Sequence, residues 1–526
     1  MKEYRKYGFV GAAGIGAVAA VSLLAGIATP AVADESFARG KPFAANPRDG
    51  VRDNVLAANL RESSVAWGQL PLQNPDAALG NTHYGYNTSN GGPLTQNAKE
   101  AFKTEPDKNV YLVLNGHHYL YQGHEGGPAG YVTRVDLDQA NPLQRVSLVA
   151  DRDPSGAKLP TFDGITWDPF THQLLLTAEA AAPTGGVFAI SLDAEGNATS
   201  PITRLSGLGS GGYEGVQNDA DGNVWLVEDI GGAAAGANNK GKLPNSYVYR
   251  FRPTDKTDLT KGGTLQALQV LRADGTPATA AQLQTDGRDP LLTALHTYGK
   301  SFRTRWATIA DPSNATAGAK AAGATPFKRP ENGVFRPGTH FGEFYFTETG
   351  DTNAASDLPG AFGAVFRLRQ SGPSADSGTL SPVTVGTVEH TGFDNIAFAT
   401  ADQLLVVEDA GDGLHQQRNA LDSGYVIDVR NGRKPGNPVR WLAEGRDASA
   451  TYDALTSPGY NDGDNEITGI HVSDGDASVR GILGAKSPRP FRAGWRVFWT
   501  QQHGDNVTWE VLGDPTQRHD SEYDAY

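Results

Sequence analysis

Cysteine is absent from this 526-residue chain, and methionine occurs once. Without thiols there is no disulfide, no cysteine-ligated zinc, no iron–sulfur cluster and no thiol nucleophile. Positive charge is also in short supply. Lys and Arg total 45 against 59 Asp and Glu, a formal charge of −14. Such an acidic chain is a poor partner for nucleic acid or anionic membranes and a good one for divalent cations. Heptad repeats are missing, and helical periodicity is weak throughout. Gly11-Ala-Ala-Gly14-Ile-Gly16 superficially resembles a dinucleotide fingerprint, but it falls in a leader segment and carries no such meaning.

That leader spans Met1 to Ala33. Lys2, Arg5 and Lys6 make a basic start, Phe9 to Ile27 is apolar and rich in small residues, and Ala31-Val32-Ala33 fits a cleavage site. The expectation is a secreted, extracellular protein with no membrane span after cleavage. Arg5-Lys6 fits a twin-arginine signal poorly, so export unfolded by the general route is expected, with metals collected outside. An exported chain without disulfides needs another source of rigidity, and bound calcium would serve.

Short apolar strands alternate with turns from Asn109 onwards: Gln144–Ala150, Gln173–Ala178, Val187–Leu192, Asn223–Val227, Val365–Arg369, Leu404–Val407 and Trp495–Thr500. This is an all-β pattern. The texture changes between Leu265 and Gly323, where Ala, Leu, Gln, Lys and Arg dominate. Ala281 to Ala310 reads as one or two helices inserted between β units, and Asp311–Ala324 as a mobile link. Residues 34–105 form a polar lead-in and 514–526 a polar tail.

Several β units repeat a pattern of acid, turn, apolar strand and second acid. Asp163 leads to Glu179, Glu214 to Glu228-Asp229, Glu331 to Glu348 and Asp394 to Glu408-Asp409; Glu466 begins a weaker copy. The two acids of a unit lie about 14 to 17 positions apart, the length of a hairpin with its turn. Long-period self-similarity marks repeat folds, propellers included. In a propeller, equivalent positions converge on the central channel. Five acids meeting there would repel strongly unless cations sat among them, so the acids are read as metal ligands. The turn preference of Asp accounts for single acids but does not require Glu at strand ends. Lys328 and Arg329 add positive charge beside Glu331. Carboxylate-held cations with a guanidinium nearby suit a phosphate. His117 and His118 are read as ordinary loop histidines, whereas Glu125 stands open between loop residue and ligand.

Arg329-Pro-Glu331, followed by Gly342-Glu-Phe-Tyr-Phe-Thr-Glu-Thr349, resembles a segment of the PhoX-type bacterial alkaline phosphatases. Gly123-His-Glu125, Leu176-Thr-Ala-Glu179, Tyr213-Glu214, Phe393-Asp394-Asn395, Asn465-Glu-Ile-Thr-Gly469 and Gln501-Gln-His503-Gly resemble further motifs of that family in the same order, so the likeness spans roughly Asn109 to Val511. The resemblance implies a propeller of about six blades over residues 106–513. It also implies a central cluster of calcium and iron and hydrolysis of small-molecule phosphate monoesters or diesters. Its implied metal ligands are Glu125, Glu179, Glu214, Glu331, Asp394 and Glu466, with Arg329 on the phosphate. Ala178 stands where the family carries a metal-bridging cysteine, and Asp163 at the head of the same unit is the candidate to replace it in the active centre. That departure puts iron in doubt and favours calcium or another hard ion. The competing readings are a non-catalytic calcium-binding propeller and another propeller hydrolase, phytase-like or lactonase-like. A monomer is expected.

Overall fold

In the computed structural model, the described residues are 37–39, 43–48, 53–87, 104–430, 438–445, 466–503 and 506–514. The expected leader and nearly all of the expected tail lie outside them. Six groups of antiparallel strands follow one another along the chain. The first blade is Pro106–Leu114, His117–His124, Val132–Asp136 and Val146–Ala150. The second is Ile165–Asp168, Gln173–Ala178, Gly186–Ser191 and Thr203–Arg204. The third is Tyr213–Asn218, Val224–Glu228, Val248–Pro253 and Gly263–Val270. The fourth is Gly333–Phe335, Glu343–Glu348, Ala364–Gln370 and Ser377–Val385. The fifth is Phe393–Phe398, Gln403–Glu408, Ser423–Asp428 and Val439–Ala443, edged by Val55–Leu56. The sixth is Glu466–Ser473, Arg496–Gln502 and Val507–Gly513, completed by Leu60–Ala66 from the other end of the chain.

The first strand of each blade is innermost, and these six pack in sequence around a ring that closes from the sixth blade to the first. The hydrophobic core is divided accordingly into six clusters, each shared by two neighbouring blades. Trp225 of the third blade, for example, meets Phe335 of the fourth edge-on, with centroids 5.2 Å apart. Such contacts explain the sequence pattern. A blade covered on both faces buries every residue of its inner strands, so Val224–Glu228 and Gln403–Glu408 are buried throughout instead of alternating. The fold is an all-β propeller, and no helix among the described residues is long and apolar enough to cross a membrane.

Three expectations change. The lead-in is not outside the propeller: Leu60–Ala66 pairs with Val507–Gly513 and closes the ring. The inserted segment contains only the short helices Ala280–Leu283 and Pro290–Leu295, and then a strand, Phe302–Thr308. That strand pairs with both Gly263–Val270 and Ser377–Val385, fusing the third and fourth blades into one nine-stranded sheet. Its buried Thr304 and Trp306 alternate with exposed Arg303 and Arg305, a period of two. The expected mobile link holds a helix, Ala315–Ala321, whose Ala315 and Ala319 are buried in the core of the second and third blades.

Candidate metal centre

Every innermost strand carries an acid within two residues of its start. In order round the ring these are Asp107, Asp163, Glu214, Glu331, Asp394 and Glu466. Three lie in register breaks, between Pro106 and Asn109, Tyr213 and Val216, and Phe393 and Ile396. A bulge frees a side chain from the pleat and re-aims it. After Asp163 and Glu214 the next residue is glycine for a steric reason. A Cβ on Gly164 would stand 2.2 Å from the Glu214 carbonyl oxygen, and one on Gly215 2.8 Å from that of Glu331. The second blade therefore leans its backbone directly on the third, and the third on the fourth. Hydroxyls and amides stitch the same seams. Thr177 Oγ1 donates to the Glu214 carbonyl at 2.5 Å, Thr347 Oγ1 to the Asp394 carbonyl at 2.5 Å, and Gln122 Nε2 to Thr500 Oγ1 of the sixth blade at 2.8 Å.

Among the described residues, three groups of carboxylates each place ligand oxygens within 4.8 Å of one another: Asp107–Glu125–Asp163, Asp163–Glu179–Glu214 and Glu214–Glu331–Asp394. Asp163 belongs to two groups and Glu214 to two, so the three form one connected arc. Asp107, Asp163, Glu214, Glu331 and Asp394 are buried, and Glu125 and Glu179 half-buried. Asp163 Oδ1 and Asp229 Oδ1 have no hydrogen-bond partner although both are buried. Native proteins seldom leave such atoms unsatisfied. Burial, and then the neighbouring acids, push Asp163, Glu179, Glu214, Asp107 and Glu466 well above the usual carboxylate range. Burial raises Asp394 to about 7, with Asp409 adding to it, and Glu125 to about 7, with Glu105 adding to it. The protein alone does not compensate this charge.

Arg329 sits at the edge of the arc with a left-handed backbone, φ 54°, immediately before Pro330. A non-glycine residue held there is strained and must be fixed by its surroundings. Its carbonyl accepts from Thr349 N at 2.8 Å. Its Nε donates to Asp229 Oδ2 at 2.9 Å, and its Nη2 lies 2.8 Å from that oxygen and 3.5 Å from Glu331 Oε1. The side chain remains 22% exposed, so the guanidinium can reach a ligand.

Arg329, Asp163, Glu125, Glu179, Glu214, Glu331 and Asp394 are thus brought together. Glu466 lies outside the three groups; its Oε2 is 3.6 Å from His503 Nε2, and Asp409 and Glu125 act on it electrostatically. Lys328 is not available as a channel cation, since its Nζ is buried 2.9 Å from both oxygens of Asp351. Nor do the second acids Glu228, Glu348 and Glu408 join the arc. Glu348 accepts from Lys328 N at 2.7 Å and pairs with His296 Nε2 at 2.5 Å inside the blade. Ala178 is fully buried in the core between the first two blades. Two site residues escaped the sequence reading, Asp107 and Lys108, while Asp229 and Asp409 entered it only as ends of repeat units. Extending the repeat back to Pro106-Asp-Lys would have found the first two. Lys108 is almost fully buried, and its Nζ donates to Asn332 Oδ1 at 2.7 Å. Burial lowers its pKa to about 8 against the upward pull of Asp107, Asp394 and Glu214.

Could this donor set hold metal? It is almost wholly carboxylate oxygen, with unsatisfied buried oxygens and no cysteine in the chain. It fits hard cations such as calcium, and does not fit a thiolate-bridged iron pair.

Residues 242–482 match the family model of alkaline phosphatase PhoX. That stretch, somewhat under half of the chain, is similar to the PhoX family. Alkaline phosphatases are phosphoric ester hydrolases, and the matched stretch includes Arg329, Glu331 and Asp394. Among solved structures, Pseudomonas fluorescens PhoX in complex with vanadate, a transition state analogue, matches with a TM-score of 0.56 at 12% identity, covering 90% of this chain and 98% of that one. It supports the propeller fold. A periplasmic gluconolactonase of Pseudomonas aeruginosa also matches, at TM-score 0.33 and 12% identity, covering 72% of this chain and 97% of that one. No curated protein sequence matches.

Proposed function

We propose that the protein is an exported, metal-dependent phosphatase that hydrolyses small phosphate monoesters or diesters at the head of the propeller channel. The observation that carries this is the connected arc of three carboxylate groups with a partly exposed arginine at its edge. Asp107, Glu125, Asp163, Glu179, Glu214, Glu331 and Asp394 would hold hard cations, calcium first among them. Asp163 and Glu214, each common to two groups, would be shared ligands. Such cations, when bound, supply Lewis-acid polarisation of a phosphoryl oxygen and activation of water.

The chain's own residues do the rest. Asp229 and Glu331 grip one edge of the Arg329 guanidinium and fix its plane, leaving other N–H donors for the phosphoryl oxygens. The donors are in place before substrate arrives, so charge that develops on the phosphoryl group meets a preorganised partner. The Thr349 hydroxyl donates to Glu331 and steadies that carboxylate. Burial of the inner-strand acids limits the water that competes with substrate. The substrate is taken to be a small-molecule ester, and the chain to act as a monomer after removal of its leader.

The purified protein should release p-nitrophenol from p-nitrophenyl phosphate, lose that activity to a chelator, and recover it with added calcium. An absence of turnover with every divalent and ferric ion tried would instead make this a calcium-binding propeller without catalysis.

A further inference from the structure

Lys108 is a cation of the centre that the phosphatase reading leaves unused. It lies on the innermost strand of the first blade, and Asn332, which receives its ammonium at 2.7 Å, heads the innermost strand of the fourth. In a ring of six these blades face each other, so the side chain runs across the channel. Asn332 passes the contact on, its Nδ2 donating to Glu214 Oε1 at 3.4 Å. Lys108 is 2% exposed and Asn332 0%. Asp107, Asp394 and Glu214 all act on the ammonium. Yet among the described residues no carboxylate comes within ion-pair distance of it, and its hydrogen bond goes to an amide oxygen. The positive charge is therefore held among three acids without consuming their oxygens.

We propose that Lys108 is a built-in cation of the centre, standing in for one metal ion at the corner between Asp107, Glu214 and Asp394 and so limiting how many cations the acids take up. The inference rests on the reading of those acids as cation ligands. A fixed single charge near three carboxylates relieves their mutual repulsion and, by the same Coulomb interaction, opposes a divalent ion at that corner. The hydrogen bond to Asn332 tethers the buried ammonium at that corner.

The test compares metal content and calcium affinity of the wild type, Lys108→Met and Lys108→Arg, each stripped with chelator and titrated with calcium. Lys108→Met keeps much of the side chain's length and removes the charge. It should bind one more calcium ion per chain than the wild type, and roughly tenfold tighter or better. Lys108→Arg should bind the wild-type number. Equal stoichiometry and equal affinity in wild type and Lys108→Met would overturn the inference while leaving the metal centre standing. A wild type that binds no cation would sink the metal centre itself. Should Lys108→Met fold only when calcium is present, that dependence is the predicted substitution of ion for ammonium; a variant that calcium does not restore contradicts it.

Discussion

Glu228 and Asp229 are neighbours on one strand end, and they are treated in opposite ways. Glu228 accepts from Tyr247 N at 3.1 Å, Tyr249 OH at 2.8 Å and Thr316 Oγ1 at 2.5 Å. Asp229 gives one oxygen to Arg329 and leaves the other, buried, with nothing. The fifth blade repeats the contrast. Glu408 accepts from Thr391 N and Ser423 N, both at 2.9 Å, and pairs with Arg418 Nη2 at 3.1 Å, while the adjacent Asp409 acts on Asp394 and Glu466 across the centre. Successive residues of a strand point to opposite sides, so one step along the chain separates the two fates. The lesson concerns satisfaction rather than residue type. Acids whose oxygens the protein has furnished with donors are scaffold. Acids it has gathered and left incomplete are a site for something else.

The largest effects should come from breaking each kind of acid's arginine. Arg329→Ala should cut turnover of p-nitrophenyl phosphate by about 100- to 1000-fold, the usual loss for one preorganised donor, with the thermal transition and metal content retained. Kinetics and elemental analysis of the variant check this together. Arg418→Ala leaves Glu408 and Asp422 buried without their shared cation. It should cost about 3–5 kcal/mol of stability in denaturant unfolding, with bound metal per folded chain unchanged. If the two variants exchanged phenotypes, the distinction between furnished and incomplete acids would fail.

A smaller effect separates the metal-free from the metal-loaded protein. Burial holds Glu125 and Asp394 at about 7 in the fold, above their ordinary values of 4.5 and 3.8. The folded form then binds more protons than the unfolded one between those limits, so stability falls as pH rises. The chelator-treated protein should be most stable near pH 4 and lose stability progressively up to about pH 7. Excess calcium should remove or reverse that trend, because deprotonated carboxylates are the ligands. Melting curves across pH, with and without calcium, decide the matter. Smallest of all, Glu331→Gln should reduce both metal content and the stabilisation that calcium confers, since an ion bound only by the native state stabilises it in proportion to affinity. Unchanged metal stoichiometry would remove Glu331 from the ligand set.

Much of the fold is written in apolar runs such as Leu174-Leu-Leu and Leu404-Leu-Val-Val, which the blades bury on both faces. The acids at the head of the other five units are equally legible from their place in the repeat, whereas Asp107 is not. What failed was phase and context. The sequence does not say which of two adjacent acids, as in Glu228-Asp229, faces the channel, because that depends on where the pleat begins. Leu60–Ala66 is polar and half-exposed, as an outermost strand can be, and so reads as a loop until its partner from the far end of the chain is present. Trp306 and Ile309 fit a helical spacing, but pairing on both sides makes their segment a strand. Lys108 gives no sign in the sequence that its ammonium crosses to Asn332.

The central claim is that the inner-strand acids enclose cations. Anomalous diffraction from crystals grown with manganese in place of calcium tests it most directly. The account predicts peaks within the three carboxylate groups, about 2.0–2.6 Å from oxygens of Asp163, Glu214 and Glu331. An empty channel, with the metal scattered over the exposed surface, would contradict it.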